Sequence, residues 1–407
     1  MKNSIIVAAI AASALAGGAQ EARSAGVTYI VGTCASGTQF DTIQSALNAS
    51  PAPSTVQVCP GQYAEQITIT RPVTLEGIAA GNGAMAQIIL PDNYGVNASL
   101  QVQGSPIPAV VQIYVNKVSG GAVNLSNLDV NGMGFGLNDA TFVAVAYQQS
   151  SGTVTHLVTS SQDTNSLGVN GIVNGWGMWI LGGSSKPSVT VENSSFNSFS
   201  GGGLYTSINT DTTAPKLTVT IKNNSFNAVY EGIYGISVDE GADASVSGNV
   251  TNGGETGILD VSSKGSITGN TVLGSQVGIL LASDGPSVTS NNILGTIQEG
   301  IDVSASTLNV SKIESNTITT VKSPGEIDST GTGIELNCND ISSSQVNSNV
   351  LMDLYYGYGD APAGFSGSNT YLSVPSEVST CTSGSVRSQA RAAARLKLLQ
   401  QLPGHQR

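Results

Sequence analysis

A recurring Gly-aliphatic pair singles out the residues of this 407-residue chain whose types and spacing suit chemistry. The pair occurs at Gly235-Ile236, Gly257-Ile258, Gly278-Ile279, Gly300-Ile301 and Gly333-Ile334, with looser matches at Gly177-Met178, Gly203-Leu204 and Gly232-Ile233. If each pair opens a short strand, the aliphatic residue and the one two places on face a core, and the residue between them faces outward. That outward position reads Trp179, Tyr205, Tyr234, Leu259, Leu280, Asp302 and Glu335. Aromatic faces along a groove stack on sugar rings, which makes Trp179, Tyr205 and Tyr234 candidate substrate-binding residues. Asp302 and Glu335 would sit on neighbouring strands about 5 Å apart, the spacing of a retaining glycosidase pair, and are candidate catalytic residues.

The elements that must position them are strands in a repeat. The Gly-Ile steps are 22, 21, 22 and 33 residues, and the last implies an inserted loop around Ser323–Thr330. A second marker, a branched aliphatic followed three places later by Asn, occurs at Ile221/Asn224, Val246/Asn249, Ile267/Asn270, Val288/Asn291, Ile313/Asn316 and Val346/Asn349. Such a period is too long for a hairpin and fits a coil of three short strands and three bends, so the fold is all-β, a parallel β-helix. Stacked coils bring like residues together at about 4.8 Å, where the asparagines can form a hydrogen-bonded ladder with no catalytic role. A propeller would need longer repeats with aromatic signatures, and leucine-rich repeats a Leu framework. Upstream, Thr55–Cys59, Gln66–Ile69, Val73–Leu75 and Gln87–Leu90 read as strands, and Val110–Val115, Val123–Val130, Thr141–Tyr147 and Thr153–Val158 as less regular coils. Ile43, Ala46 and Leu47 at helical spacing predict a short helix capping the first coil.

Composition agrees with a solenoid. There are 49 Gly, 10% charged residues and 40% hydrophobic residues, too apolar for a disordered chain. A net charge of −12, with no Arg between Arg71 and Arg387, argues against the basic surface that nucleic acid needs. Lys2, the apolar run Ile5–Ala16 and the small residues Gly17-Gly18-Ala19 predict a secretory signal over 1–25. The repeat domain is expected over 26–384 and a basic helical or disordered tail over 385–407. No other apolar run is long enough to span a bilayer. Four cysteines fit an oxidising, periplasmic or secreted location, and the simplest pairing is Cys34 with Cys59 and Cys338 with Cys381. No CxxC or Cys/His cluster suggests a metal, and no cofactor is expected. His156 shares the parity of Val154 and Val158 and reads as a core or edge residue.

Three segments, Thr42–Leu47, Val56–Glu65 and Pro72–Gly77, resemble the opening of pectin-lyase-like right-handed β-helix proteins. The element Gly61-x-Tyr63-x-Glu65 resembles one found in pectin methylesterases and in many other β-helix repeats. The right hand of the helix is implied by this resemblance. Gln162-Asp163-Thr164 is similar to the esterase motif that holds an acid/base Asp, making Asp163 a further catalytic candidate. The nucleophilic Asp expected one coil later falls at Ser185, and the esterase Arg has no counterpart. The polygalacturonase and pectate-lyase sets are incomplete too, since the Asp-Asp, His and Arg they need are missing. Two functions remain: an exported β-helix that binds or modifies extracellular or cell-wall polysaccharide, or a non-catalytic structural or surface-interaction module. A divergent carbohydrate esterase is a third.

Overall fold

The computed structural model describes residues 26–37, 39–81, 83–135, 140–162, 175–208, 217–228, 233–239, 241–262, 265–282, 286–304, 312–320, 331–338 and 342–381. The expected signal, the inserted loop, the tail and Asp163 lie outside them.

Strands stack into three parallel sheets of 13, 12 and 13 strands, here named A, B and C. One coil runs Leu217–Lys222 in A, Ser225–Asn227 in B and Tyr234–Val238 in C, and the next runs Ala242–Ser247, Val250–Asn252 and Thr256–Asp260. Inward positions alternate with outward ones and build a continuous core. In sheet A the inward column runs Val191, Ile221, Val246, Ile267, Val288, Ile313 and Val346, and all are fully buried. In sheet B, Phe196 and Phe226 stack with centroids 4.8 Å apart and planes 5° apart, the parallel offset that rung spacing imposes.

The bends explain why some expected strands are broken. Val123–Val130 is two strands, Val123–Ser126 and Leu128–Asn131, and the expected Thr153–Val158 is likewise divided, into Gly152–Thr155 and Val158–Gln162. Asn127 and His156 at the breaks have φ of 54° and 50°. The same left-handed bend between A and B recurs at Asn193, Asn223, Gly248, Gly269, Ser290, Ser315 and Ser348. Asn and His visit this region more readily than most residues, and Gly freely.

Immediately after this bend comes the asparagine ladder. Each side-chain oxygen accepts from the backbone N–H and the amide of the preceding Asn, as Asn270 Oδ1 does from Asn249 at 2.9 and 3.0 Å. Each Nδ2 also donates to a backbone carbonyl, as Asn270 does to Val246. The ladder starts at the backbone of Ser194 and extends beyond the sequence marker to Asn369. It satisfies groups that a buried bend would otherwise strand.

The Gly half of the Gly-Ile marker also has a steric cause. A Cβ on Gly235, Gly257, Gly278, Gly300 or Gly333 would lie 2.5–2.8 Å from the carbonyl oxygen of the next glycine in the column. The backbone folds inward there, and the aliphatic partners Ile236, Ile258, Ile279, Ile301 and Ile334 are fully buried.

Both ends are fastened. Helix α1, Ile43–Leu47, buries Ile43, Ala46 and Leu47 over the first coil. Glu65 accepts from the backbone N–H groups of Ile43 and Gln44 at 2.7 and 2.9 Å, and Tyr63 donates to the carbonyl of Cys59. The Gly-x-Tyr-x-Glu element is therefore a device for seating the cap. Disulfides join Cys34 to Cys59 and Cys338 to Cys381, the pairing expected.

One element departs from the stack. Ala98–Val102 runs antiparallel to Ser105–Ala109, the first part of the sheet C strand Ser105–Asn116. Gln103 and Gly104 turn the hairpin with φ of 44° and 80°.

Candidate functional site

The register puts Trp179, Tyr205, Ser237, Leu259, Leu280, Asp302 and Glu335 in one outward column of sheet C. Ser237 stands where Tyr234 was expected, because the coil is aligned by Gly235-Ile236 and not by the pair three residues earlier. Tyr234 belongs instead to a neighbouring outward column, Trp176, Gly202, Tyr234, Thr256. Facing outward does not expose these residues. Trp179 and Tyr205 are fully buried, and Tyr234, Asp302 and Glu335 are each 1% exposed. The open groove expected from the sequence is not present on this face.

What covers the aromatic end is the hairpin. Ala98, Leu100, Val102 and Ala109 pack with Trp176, Trp179, Tyr205 and Tyr234 into a second core outside the helix. Trp176 lies 5.8 Å from Trp179 and 5.5 Å from Tyr205, and stacks on Tyr234 at 6.4 Å across the gap that Gly202 leaves. The hairpin tip is tied down by Asp239, one of whose oxygens accepts from Gln103 Nε2 at 2.8 Å, Tyr205 Oη at 2.7 Å and Ser207 Oγ at 3.0 Å. Burial and the adjacent Asp239 charge hold the Tyr205 phenol far above its ordinary range.

Asp302 and Glu335 are register neighbours, so the adjacency read from the sequence holds despite the 33-residue step. Asn337 donates to Asp302 at 2.8 Å, and Glu335 lies over Gly359, where a Cβ would collide with it. Their burial keeps both carboxyl groups from solvent.

The open concavity lies elsewhere, on the bend between sheets A and B. A cavity of about 600 Å³ runs along Asn127, His156, Asn193, Asn223 and Gly248, which are the left-handed bend residues of successive coils. The connection after strand Val73–Gly77 forms its wall with Ile78, Ala79 and Met85. Backbone N–H groups at the bends are occupied by the next coil, as in Asn193 to Lys222 and Asn223 to Ser247. The side chains of His156, Asn193 and Asn223 are thereby exposed to the groove. His156 is thus an exposed bend residue and not a core one; the left-handed turn after Thr155 ends the strand parity on which that expectation rested. No Lys, Arg, Asp or Glu lines the groove among the described residues. Sequence reasoning missed this groove, although its one-per-coil spacing of Asn and His was visible.

Residues 207–371 match the family model of the right handed beta helix region. The chain is a right-handed parallel β-helix protein. No curated protein matches the sequence. Among solved structures this β-helix is similar to a double mutant of the periplasmic alginate epimerase AlgG, at 10% identity over 79% of this chain and 73% of that one, with a TM-score of 0.47. It is similar also to PfbA, a surface adhesin of Streptococcus pneumoniae, at 12% identity over 83% and 87% with a TM-score of 0.43. A third is the A-module of the Azotobacter vinelandii mannuronan C-5 epimerase AlgE6, at 14% identity over 83% and 95% with a TM-score of 0.45. These are likenesses of fold. Within this β-helix the pectin methylesterase element is accounted for by capping, through Tyr63 and Glu65. No helix among the described residues is long and apolar enough to cross a membrane.

Proposed function

We propose that the protein binds a neutral, linear polysaccharide along the bend groove, outside the cytoplasm. The observation that carries this reading is the groove itself. It presents a side-chain amide or imidazole from successive coils, about 4.8 Å apart, opposite an apolar wall. A ligand that is itself a linear repeat of hydroxyl-bearing rings matches such a row. The uncharged lining and the net charge of −12 favour a neutral chain over a polyuronate. The predicted signal over 1–25 and the two disulfides support export.

Affinity electrophoresis through gels containing neutral or acidic polysaccharides tests it. Retardation by a neutral glycan, lost in His156→Ala with Asn223→Gly, is the expected result. Equal migration in every gel would overturn the reading. The burial of Trp179, Tyr205 and Tyr234 favours a second reading, a rigid surface-interaction module with no glycan ligand. Cleavage of a retained glycan, abolished in Asp302→Asn or Glu335→Gln, would assign that neighbouring pair acid–base work; retention without products leaves a binding protein.

A further inference from the structure

The two tryptophans of the chain, Trp176 and Trp179, both lie in the buried patch under the hairpin. Neither indole N–H has a hydrogen-bond partner among the described residues. The hydroxyls of Ser237 and Thr256, also fully buried, have none either. Ser237 follows Trp179 and Tyr205 in one outward column, and Thr256 follows Trp176 and Tyr234 in the other. Four orphaned polar atoms therefore share one patch with five aromatic rings, Tyr114 among them. Buried polar groups are nearly always paired, and leaving one unpaired is destabilising. Single unpaired hydroxyls also occur in the inner core, at Thr159 and Thr251, but among the described residues only here do two indole N–H groups and two hydroxyls gather beside a cluster of aromatic rings.

The Trp176 indole lies close over backbone. Gly201 and Gly202 give the Trp176 indole a bed, since a Cβ on either would lie 2.6 or 2.4 Å from its ring. Indole N–H groups only donate, so they call for acceptors, while the two hydroxyls can do either. Aromatic faces with edge donors take the C–H face and the hydroxyl oxygens of a sugar ring. Asp239 beside the patch already accepts three hydrogen bonds, and Glu255 acts on Tyr234 from the Thr256 side, so the surroundings favour an uncharged ring over an acidic one.

The cover is held to the stack by apolar packing of Leu100 and Val102 and by few hydrogen bonds. Among the described residues, Ala98–Val102 pairs with no strand but its hairpin mate. Its described hydrogen bonds to the stack are Gln101 N–H to Gln148 Oε1, Gln103 N–H to the carbonyl of Ile208, and Gln103 Nε2 to Asp239. We infer that the outer face of sheet C at Trp176, Trp179, Ser237 and Thr256 is a second, occluded site for a neutral sugar ring, entered when the hairpin arm Ala98–Val102 lifts. It does not depend on the bend groove.

Because the chain has no other tryptophan, emission reports this patch alone. The test titrates the full exported chain with cellohexaose, chitohexaose and mannohexaose, with hexagalacturonate as the acidic control. A saturable emission change with a neutral hexasaccharide is expected, absent with the control. Gln103→Ala removes the tip donor and should tighten apparent binding severalfold, because more of the protein is open. Gln103→Glu, which sets a second carboxylate against Asp239, should act the same way and serves if the first variant fails to fold. Ser237→Ala and Thr256→Val should each weaken binding roughly tenfold, one hydrogen bond each, without lowering Tm. A purely structural role predicts no glycan binding to lose in either variant, whatever the Tm. Emission unmoved by every neutral hexasaccharide in the wild type and in a folded Gln103 variant would overturn the site. Electrophoretic retardation persisting in that case would leave the groove reading standing.

Discussion

At the scale of the residue, the left-handed bend decides what His156, Asn193 and Asn223 can do. A residue forced to φ near +50° turns the chain and throws its side chain outward, and Gly serves the same bend at Gly248 and Gly269. Asn193→Gly and Asn223→Gly should therefore change Tm little while removing groove amides, a separation of stability from binding that a melt and a retardation gel read together. One residue further on, the asparagine points inward and the outcome reverses. Asn270→Ala would strand the N–H of Asn249 and the carbonyl of Val246, and should lose roughly 3 kcal/mol or more in a denaturant melt. Asp260 sets a pH dependence. Burial pushes its carboxyl up to about 7, against two bonds from Ser262, whereas its ordinary value is 3.8. Between those values the unfolded chain releases a proton that the folded chain keeps, so stability falls as pH rises from about 4 to 7. Asp260→Asn should melt with the wild type at pH 4 and several degrees above it at pH 8.

At the scale of the element, the Gly-Ile marker is a close-approach device before it is a register mark. Gly278→Ala would place a methyl 2.5 Å from both the carbonyl oxygen of Gly300 and Cγ2 of Ile293. Backbone on one side and core on the other leave it nowhere to go, and the loss should reach or exceed the roughly 1–3 kcal/mol of an overpacked core, seen as a lower midpoint in urea. The marker was readable because the collision recurs in every coil. It misplaced Tyr234 because two Gly-Ile pairs lie three residues apart, and only packing against Gly257 selects the second. The hairpin left a weaker trace. No strand was expected before Val110 in the less regular coils, since an antiparallel arm and a parallel strand share the same alternation, and only the apolar outer face of sheet C decides where that arm lies.

At the scale of the whole molecule, a stack couples each coil mainly to its neighbours. The disulfides sit at its two ends, spanning 25 and 43 residues. Reduction should loosen the terminal coils first, with amide exchange rising near Cys34 and Cys338 while Asn249 to Asn291 stay protected. The sequence by itself determined the coil, the ladder, the capping helix, the disulfide pairs and the neighbouring of Asp302 with Glu335. The coil and the ladder follow from a local constraint repeated at a nearly constant step, and repetition is visible in one dimension; the cap follows from helical spacing and the disulfide pairs from nearness along the chain. Only the tertiary structure decided which outward faces meet solvent. Alternation tells a side chain to leave the helix, but whether it finds water depends on a segment distant in sequence, as Leu100 and Val102 are from Tyr205. Trp179, Tyr205, Asp302 and Glu335 stand in the outward column expected but are buried there, Tyr234 stands in the neighbouring column, and the accessible groove formed instead where the bends turn Asn and His outward.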